Sequence, residues 1–489
     1  MAHPRLTLWP RILLIPIVIL IALRPGDASW INDEPILMEM AIRYNHTASN
    51  IYGIDLPITP CPYGLQGTRG ARYGPLPVWI DQVLLAFTHN LILMIAVRAL
   101  LFASLTAAAL GWLAKTLRLS DWFTVIAMLS PWIWLFSRSL WDSSWCVPIS
   151  ALLLAAYAGF LANHKRADLI IVVVCCFMLP LIHLMGIAMV LPVLLHLLLF
   201  HRSEIWAFRW RIALMMSMCV YLFWPYLFYS FSHIRPAIPS NRSALLGWLF
   251  PLLGGHFLTL GVGGVTPGDG WQDFAPACVK FTFMLAQWIS RAALAAVWLG
   301  MALAIPRAWS VIRRPSSTTV SDHLCFIALS VWICQTLLDG LERLYFATYY
   351  YSGTWIAYLF FAWIAADWLV KRVRKDIFIS IIALYAASLL LGIGIIAATI
   401  ARNGGTRTIY YGTSIGNQIA AVQKLRNYSD DSVVDFQLPQ WRLFPLARKV
   451  LLELNPPTFA PRPRRHLVVK YRDAGPGDAH IEVEEIPGS

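Results

Sequence analysis

Charge is scarce in this sequence: Asp, Glu, Lys and Arg together make up 13% of its 489 residues, where soluble domains carry about 25%. That scarcity excludes an ordinary water-soluble fold. The first apolar run, from Ile12 to Leu23, is not followed by a small-residue cleavage site, which argues against a removable signal peptide. The 8 cysteines include no CxxC pair, and most fall in apolar segments, where a thiol behaves as a small hydrophobe. Internal repeats and low-complexity tracts are missing too, and the composition excludes collagen, coiled coils and disorder. What the chain does have is apolar length. Hydrophobic residues make up 58% of it, mean hydropathy is +0.60, and several runs of about 20 residues suffice to cross a hydrocarbon layer of about 30 Å. These features predict a polytopic membrane protein.

The 39 Lys and Arg outnumber the 26 Asp and Glu, for a net charge of +13. The basic residues sit in short clusters between apolar runs, the pattern of a topology signal and not of a nucleic-acid surface. Taking the N-terminal run as an inside-to-outside helix, further crossings are expected at about 91–114, 121–137, 145–162, 168–182, 185–200, 211–231, 281–305, 323–339, 351–369 and 376–400, eleven in all. Under this count Lys115/Arg118, Lys165/Arg166, Arg202/Arg209/Arg211, Arg307/Arg313/Arg314 and Lys371/Arg372/Arg374/Lys375 all fall inside. The agreement requires the stretch 75–88 to lie at the interface or half-inserted. If it crossed, every later cluster would face outward.

Three outer segments remain. The loop 24–90 contains Asp33 to Tyr44, whose Ile36, Leu37, Met40 and Ala41 have the spacing of a helix lying on the membrane. The loop 232–280 joins an apolar piece to a glycine-rich tail, as a lid would. The tail 401–489 has soluble composition, with helices expected at 415–427 and 440–454 and strands at VVDF, HLVVKYR and HIEVEEI. It is expected to form a small extracytoplasmic α+β domain. Cys61 and Cys278 lie in loops on the same side, which leaves a disulfide between them open. The sequons at Asn45 and Asn241 matter only in a glycosylating compartment.

Chemistry concentrates at the outer boundaries. Asp33 and Glu34 sit about ten residues beyond the first crossing, in SWINDEPILMEMA. One reading is a helix N-cap at Asn32 or Asp33, with Glu34 in the first turn. The other is a general base at the water boundary, with Glu39 one to two turns further on. Arg98, two turns into the second crossing, must face the protein interior or a wet cavity, and its partner is not evident.

The DE pair after the first crossing, the loop ending in RYGPLPVW, the later RSLWDSSWCVP and the LIHLMG segment together resemble the C-type (GT-C) glycosyltransferase superfamily. More narrowly, they resemble bacterial relatives of the protein O-mannosyltransferases and of the aminoarabinose transferases that modify lipid A. The likeness covers about 10–200 and 339–360. Tyr73-Gly74-Pro75-Leu76 stands where that family carries an HPPL-like motif, so its histidine is absent. The resemblance implies an all-α polytopic fold and an inverting transfer of sugar from a polyprenyl-phosphate donor, at the outer face of the membrane, to a lipid, glycan or protein. For a cell-envelope enzyme of this kind, the charge pattern puts the N-terminus in the cytoplasm and the C-terminus outside.

Such a reaction needs an apolar groove for the prenyl chain, cations at the phosphate and a carboxylate near the anomeric carbon. Asp33, Glu34 and Asp142 are the candidate catalytic acids, Asp142 matching the family's second acidic position. Arg72, Arg138 and Arg343 are the candidate phosphate ligands, since guanidinium groups bind phosphate bidentately. Snorkelling at the interface is the alternative for each. Glu39, His183 and Tyr350 are candidate substrate contacts, and Glu342, Arg343, Tyr349 and Tyr350 form a polar and aromatic cluster opening the tenth crossing. Asp142 also suits an N-cap and His183 a plain turn. Cofactors are not called for, although Asp33, Glu34, Asp142 and His183 would suit a divalent metal if the fold gathered them. The rival readings are a transporter or flippase of a lipid-linked substrate, a polysaccharide polymerase or ligase, and a non-catalytic assembly factor.

Overall fold

The computed structural model describes residues 9–30, 33–45, 61, 63–65, 72–232, 248–260, 277–341, 348–405, 412–428, 432–437, 449–452, 454, 463–472 and 478–486. The apolar runs become helices: α1 (Trp9–Ala22), α2 (Glu34–Asn45), α3 (Leu76–Phe87), α4 (Leu91–Thr116), α5 (Trp122–Met128), α6 (Pro131–Arg138), α7 (Cys146–Asn163), α8 (Arg166–Ile182), α9 (Ile187–Phe200), α10 (Arg202–Ala207), α11 (Arg209–Ser232), α12 (Ala277–Arg313), α13 (Val320–Leu341), α14 (Trp355–Val370), α15 (Lys375–Asn403) and α16 (Ile415–Leu425).

Among the described residues five segments are long and apolar enough to cross a membrane: Leu91–Thr116, Asp142–Asn163, Val279–Arg313, Val320–Leu341 and Lys375–Asn403. Each other expected crossing also contains helix, but the third is broken. α5 stops at Met128, and α6 restarts at Pro131, which fits a first helical position because its missing N–H would be unpaired there anyway. Pieces of 7 and 8 residues are too short to cross alone. α3, with 12 residues, is about 18 Å long and also falls short of about 30 Å.

α7 is central. It is apolar on all sides, and Ala151, Ala155, Ala156, Ala158 and Gly159 let α4 and α8 pack close against it. Exposed Leu, Trp and Phe along α9, α11 and α12 make the outer surface that lipid would cover.

A second core lies beside this bundle. Leu37, Met38, Ala41 and Ile42 of α2 are buried together with Ile415, Ala421 and Val422 of α16 and with Leu467, Val469 and Ile481 of the sheet. The apolar face of α2 therefore meets protein, which corrects the expectation that it lies on the membrane. The sheet has order β1-β2-β3, with β1 (Val433–Phe436) parallel to β2 (His466–Tyr471) and β2 antiparallel to β3 (Ile481–Glu485). The strands fall within the three expected segments. Helix is described at 449–452 within the expected 440–454. The tail shares its core with the first loop: the Ile415 N–H donates to the Ala28 carbonyl at 2.9 Å and the Gln418 amide to the Trp30 carbonyl at 2.7 Å.

Within the loop expected to act as a lid, Phe257, Leu258 and Leu260 of the apolar piece are buried, and the Phe257 carbonyl accepts from the Ser130 hydroxyl. Its glycine-rich continuation lies outside the described residues. Cys61 is a free buried thiol that donates to the Tyr63 carbonyl at 3.1 Å, and the Cys278 side chain lies outside the description, so the disulfide is not supported.

Candidate active site

The segment RSLWDSS leaves α6 extended and then closes into a 3-10 turn, Asp142–Trp145. That turn touches α3, α8 and a second 3-10 turn, Thr348–Tyr351, so three distant stretches of sequence meet there. The Trp141 indole N–H reaches out of the segment and donates to Asp33 Oδ2 at 2.7 Å. Among the described residues no N–H of α2 donates to the Asp33 carboxylate, so the N-cap reading of Asp33 has no hydrogen bond behind it. Burial raises the Asp33 carboxyl above its usual range, and the indole N–H opposes that rise by favouring the charged form.

Glu34, 1% exposed, follows directly. Asp142 is buried, accepts from the Ser143 N–H at 2.6 Å through Oδ1, and lies near enough to Asp33 for the two carboxylates to repel.

Arg98 holds this arrangement in place. Its Nη1 donates to Asp81 Oδ1 at 2.7 Å, and its Nη2 donates to the Trp141 carbonyl at 2.9 Å and to Ser144 Oγ at 3.0 Å. Both partners of the ion pair are buried. Asp81 is thus the missing partner of Arg98, and a lone acid within LPVWIDQVLLAF was the signal that pointed to it.

On the other flank, Tyr73 lies with its ring centroid 4.5 Å from that of His183, and Tyr350 lies 6.2 Å from the same imidazole. The Arg72 guanidinium is 4.2 Å above the Tyr63 ring, and the Tyr226 hydroxyl donates to the Arg72 carbonyl at 3.0 Å. Gly74 allows this loop to press on α8, because a Cβ there would run into the Leu181 backbone. His183 Nδ1 accepts from the Met185 N–H at 3.3 Å, which assigns the proton of the neutral ring to Nε2. Burial pushes its pKa down to about 4, so it is uncharged at neutral pH.

Arg138 turns two of its guanidinium nitrogens to the end of α1. Its Nε donates to the Ile21 carbonyl at 2.9 Å and its Nη2 to those of Leu20 and Leu23 at 3.3 and 2.5 Å, tying down the C-terminal end of α1. Those carbonyls are the groups a helix end leaves unpaired, and a cation suits that end of the dipole. Glu39 pairs with Lys449 of the tail at 2.6 Å and is not part of the cluster. Glu342 and Arg343 lie outside the described residues, as does the Tyr349 side chain. The four sequence-proposed metal ligands do not assemble into a ligand set among the described residues, and the bonds from Ser143 to Asp142 and from Met185 to His183 occupy one donor atom on each. A group the sequence reading missed is Asp339, which accepts from the Tyr351 hydroxyl at 2.7 Å and the Gln335 amide at 2.8 Å and so fixes the Thr348–Tyr351 turn.

No family model matches the sequence, and no curated protein matches it. Among solved structures, the chain is similar to ArnT from Cupriavidus metallidurans, crystallised bound to undecaprenyl phosphate, with a TM-score of 0.47 and 11% identity over 96% of this chain and 94% of that one. A likeness this distant carries no part of the reasoning that follows.

Proposed function

We propose that this protein is an inverting glycosyltransferase that takes a sugar from a polyprenyl-phosphate donor and transfers it to an acceptor at the outer face of the membrane. The observation that carries the reading is the partly buried Asp33 carboxylate, fixed by the Trp141 indole and close to Asp142, whose turn touches the Thr348–Tyr351 turn beside an apolar helix bundle. Asp33 accepts the acceptor's hydroxyl proton as that oxygen attacks the anomeric carbon. The bond from that carbon to the phosphate oxygen breaks on the opposite face, and the phosphate leaves with the electron pair. Positioning supplies much of the acceleration.

Arg72, steadied on Tyr63, meets the charge that grows on the leaving phosphate, together with Arg343. His183, neutral, offers an Nε2 hydrogen bond in place of a charge. Arg138 serves by holding α1, and Glu34 and Asp142 shape the field around Asp33.

The test is incubation of the purified chain with a panel of polyprenyl-phosphate sugars, following release of polyprenyl phosphate. One donor should be consumed by the wild type and spared by Asp33→Asn. Release from no donor across lipid, glycan and peptide acceptors would overturn the proposal.

A further inference from the structure

α7 and α9 both start beside the candidate site and run away from it, so the residues that follow them lie together at the far end of the bundle, the end marked as inner by Lys165, Arg166 and Arg202. His164 caps α7 in a left-handed conformation (φ 50°), with its N–H on the Phe160 carbonyl. His201 follows α9, and Glu204 lies in the first turn of α10. Glu204 Oε1 is 3.6 Å from His201 Nδ1 and 3.9 Å from His164 Nδ1, while its Oε2 accepts from the Ser203 hydroxyl at 2.7 Å. One donor atom from each of the three residues lies within 4.8 Å of the others.

These separations are too long for hydrogen bonds but close to what an ion between them would need. Two ligands on one tetrahedral zinc at about 2.0–2.1 Å stand about 3.4 Å apart. The two carboxylate–imidazole separations, 3.6 and 3.9 Å, are near that spacing, the two imidazole donors lie within 4.8 Å of each other, and rotation of the exposed His164 side chain can close the set.

A second observation comes from His201 itself. It is only 9% exposed, and neither of its ring nitrogens has a hydrogen-bond partner among the described residues. An imidazole taken out of water with nothing on either nitrogen is costly, and a bound ion would relieve that cost. His196 and His323 are near, but they are engaged elsewhere: the Tyr157 hydroxyl lies 2.6 Å from His196 Nδ1, His196 Nε2 lies 2.9 Å from His323 Nδ1, and Thr318 Oγ1 lies 2.9 Å from His323 Nε2.

We propose that His164, His201 and Glu204 bind one divalent ion of the zinc class, clamping the end of α7 to the corner between α9 and α10. Two imidazoles and one carboxylate suit such an ion and leave its fourth position for water. The clamp lies a helix length from Asp33 and does not depend on the proposed reaction.

The test uses the full chain in detergent, untagged, stripped with chelator and then given zinc alone. Metal content by mass spectrometry should return to one zinc per chain, with a rise in Tm. His164→Gln, whose side chain is 58% exposed and so does not threaten folding, should weaken zinc binding at least about tenfold, and Glu204→Gln should do the same. If His201→Ala fails to fold, those two variants still decide the matter. Failure of the stripped wild type to take up zinc would overturn the proposal, as would a full zinc complement in the folded double variant of His164 and Glu204.

Discussion

Replacing Asp33 by Asn separates proton acceptance from every structural duty the residue has. The amide has the same shape, and its oxygen can still accept the Trp141 N–H, now 2.7 Å from Asp33 Oδ2. What it cannot do is take a proton from an acceptor hydroxyl. General-base catalysis contributes about 10² to 10⁴ in rate, which at about 1.36 kcal/mol per decade is a barrier increase of about 3–5 kcal/mol. Stability should move the other way. Burial raises the pKa of folded Asp33, so the group's favourable contribution is present at low pH and is lost as the pH rises through the folded value. Asn removes that loss, and Tm should hold or rise at pH 8, with the difference from wild type shrinking as the pH falls toward 4. The assay is sugar transfer, donor affinity and thermal unfolding on one preparation, with Glu34→Gln alongside. Trp141→Phe adds a control: without the indole N–H the charged form is less favoured, and the acidic limb of the pH–rate profile should shift to higher pH. Near wild-type transfer by Asp33→Asn, or loss of transfer only through loss of folding, would refute the assignment.

Asp81→Ala should destabilise the protein by about 3–5 kcal/mol, because it strands a buried guanidinium, and the double variant with Arg98→Ala should cost less than the two single losses added together, as a double-mutant cycle on unfolding midpoints would show. Gly74→Ala should cost about 1–3 kcal/mol, since its Cβ must displace the Leu181 backbone, and should weaken donor binding through Arg72 more than it lowers kcat. Glu39→Gln, by contrast, breaks only a surface pair with Lys449; it should change stability by less than about 1 kcal/mol and leave donor affinity intact.

The helices were legible because a run of apolar residues is a direct requirement of crossing lipid, and the strands because VVDF, HLVVKY and IEVEE carry β-branched alternation in an otherwise soluble tail. Less legible was what an apolar face meets. The stripe on α2 has the same spacing whether lipid or α16 covers it, and only the fold shows Leu37 and Ala41 packed in a protein core. The place of Arg138 was hidden for a similar reason. An arginine beside tryptophans at a membrane boundary suits a phosphate and a helix C-terminus equally, and the carbonyls of Leu20, Ile21 and Leu23 that receive it lie more than a hundred residues away in sequence. The broken third crossing was signalled by Ser130-Pro131, but total apolar length outweighed that local sign.

The joining of Asp33 to Trp141 across 108 positions could not be read from the sequence either, and the reason lies in how the WDSS turn is held. Its conformation does not come from local preference alone, since the turn would sit equally well a residue earlier or later on an apolar helix end. It is fixed by Arg98, which reaches the Trp141 carbonyl and Ser144 Oγ only when Asp81 holds its other end. A buried ion pair seldom adds net stability over apolar packing, because desolvation offsets the attraction. Its worth here is positional: a rigid fork with three directed bonds admits one placement of the turn, and that placement aims the Trp141 indole at Asp33. Apolar residues of similar size at both 81 and 98, which leave no buried charge unpaired, would therefore be expected to keep the bundle folded while letting the indole drift from the carboxylate, so that activity falls further than stability does.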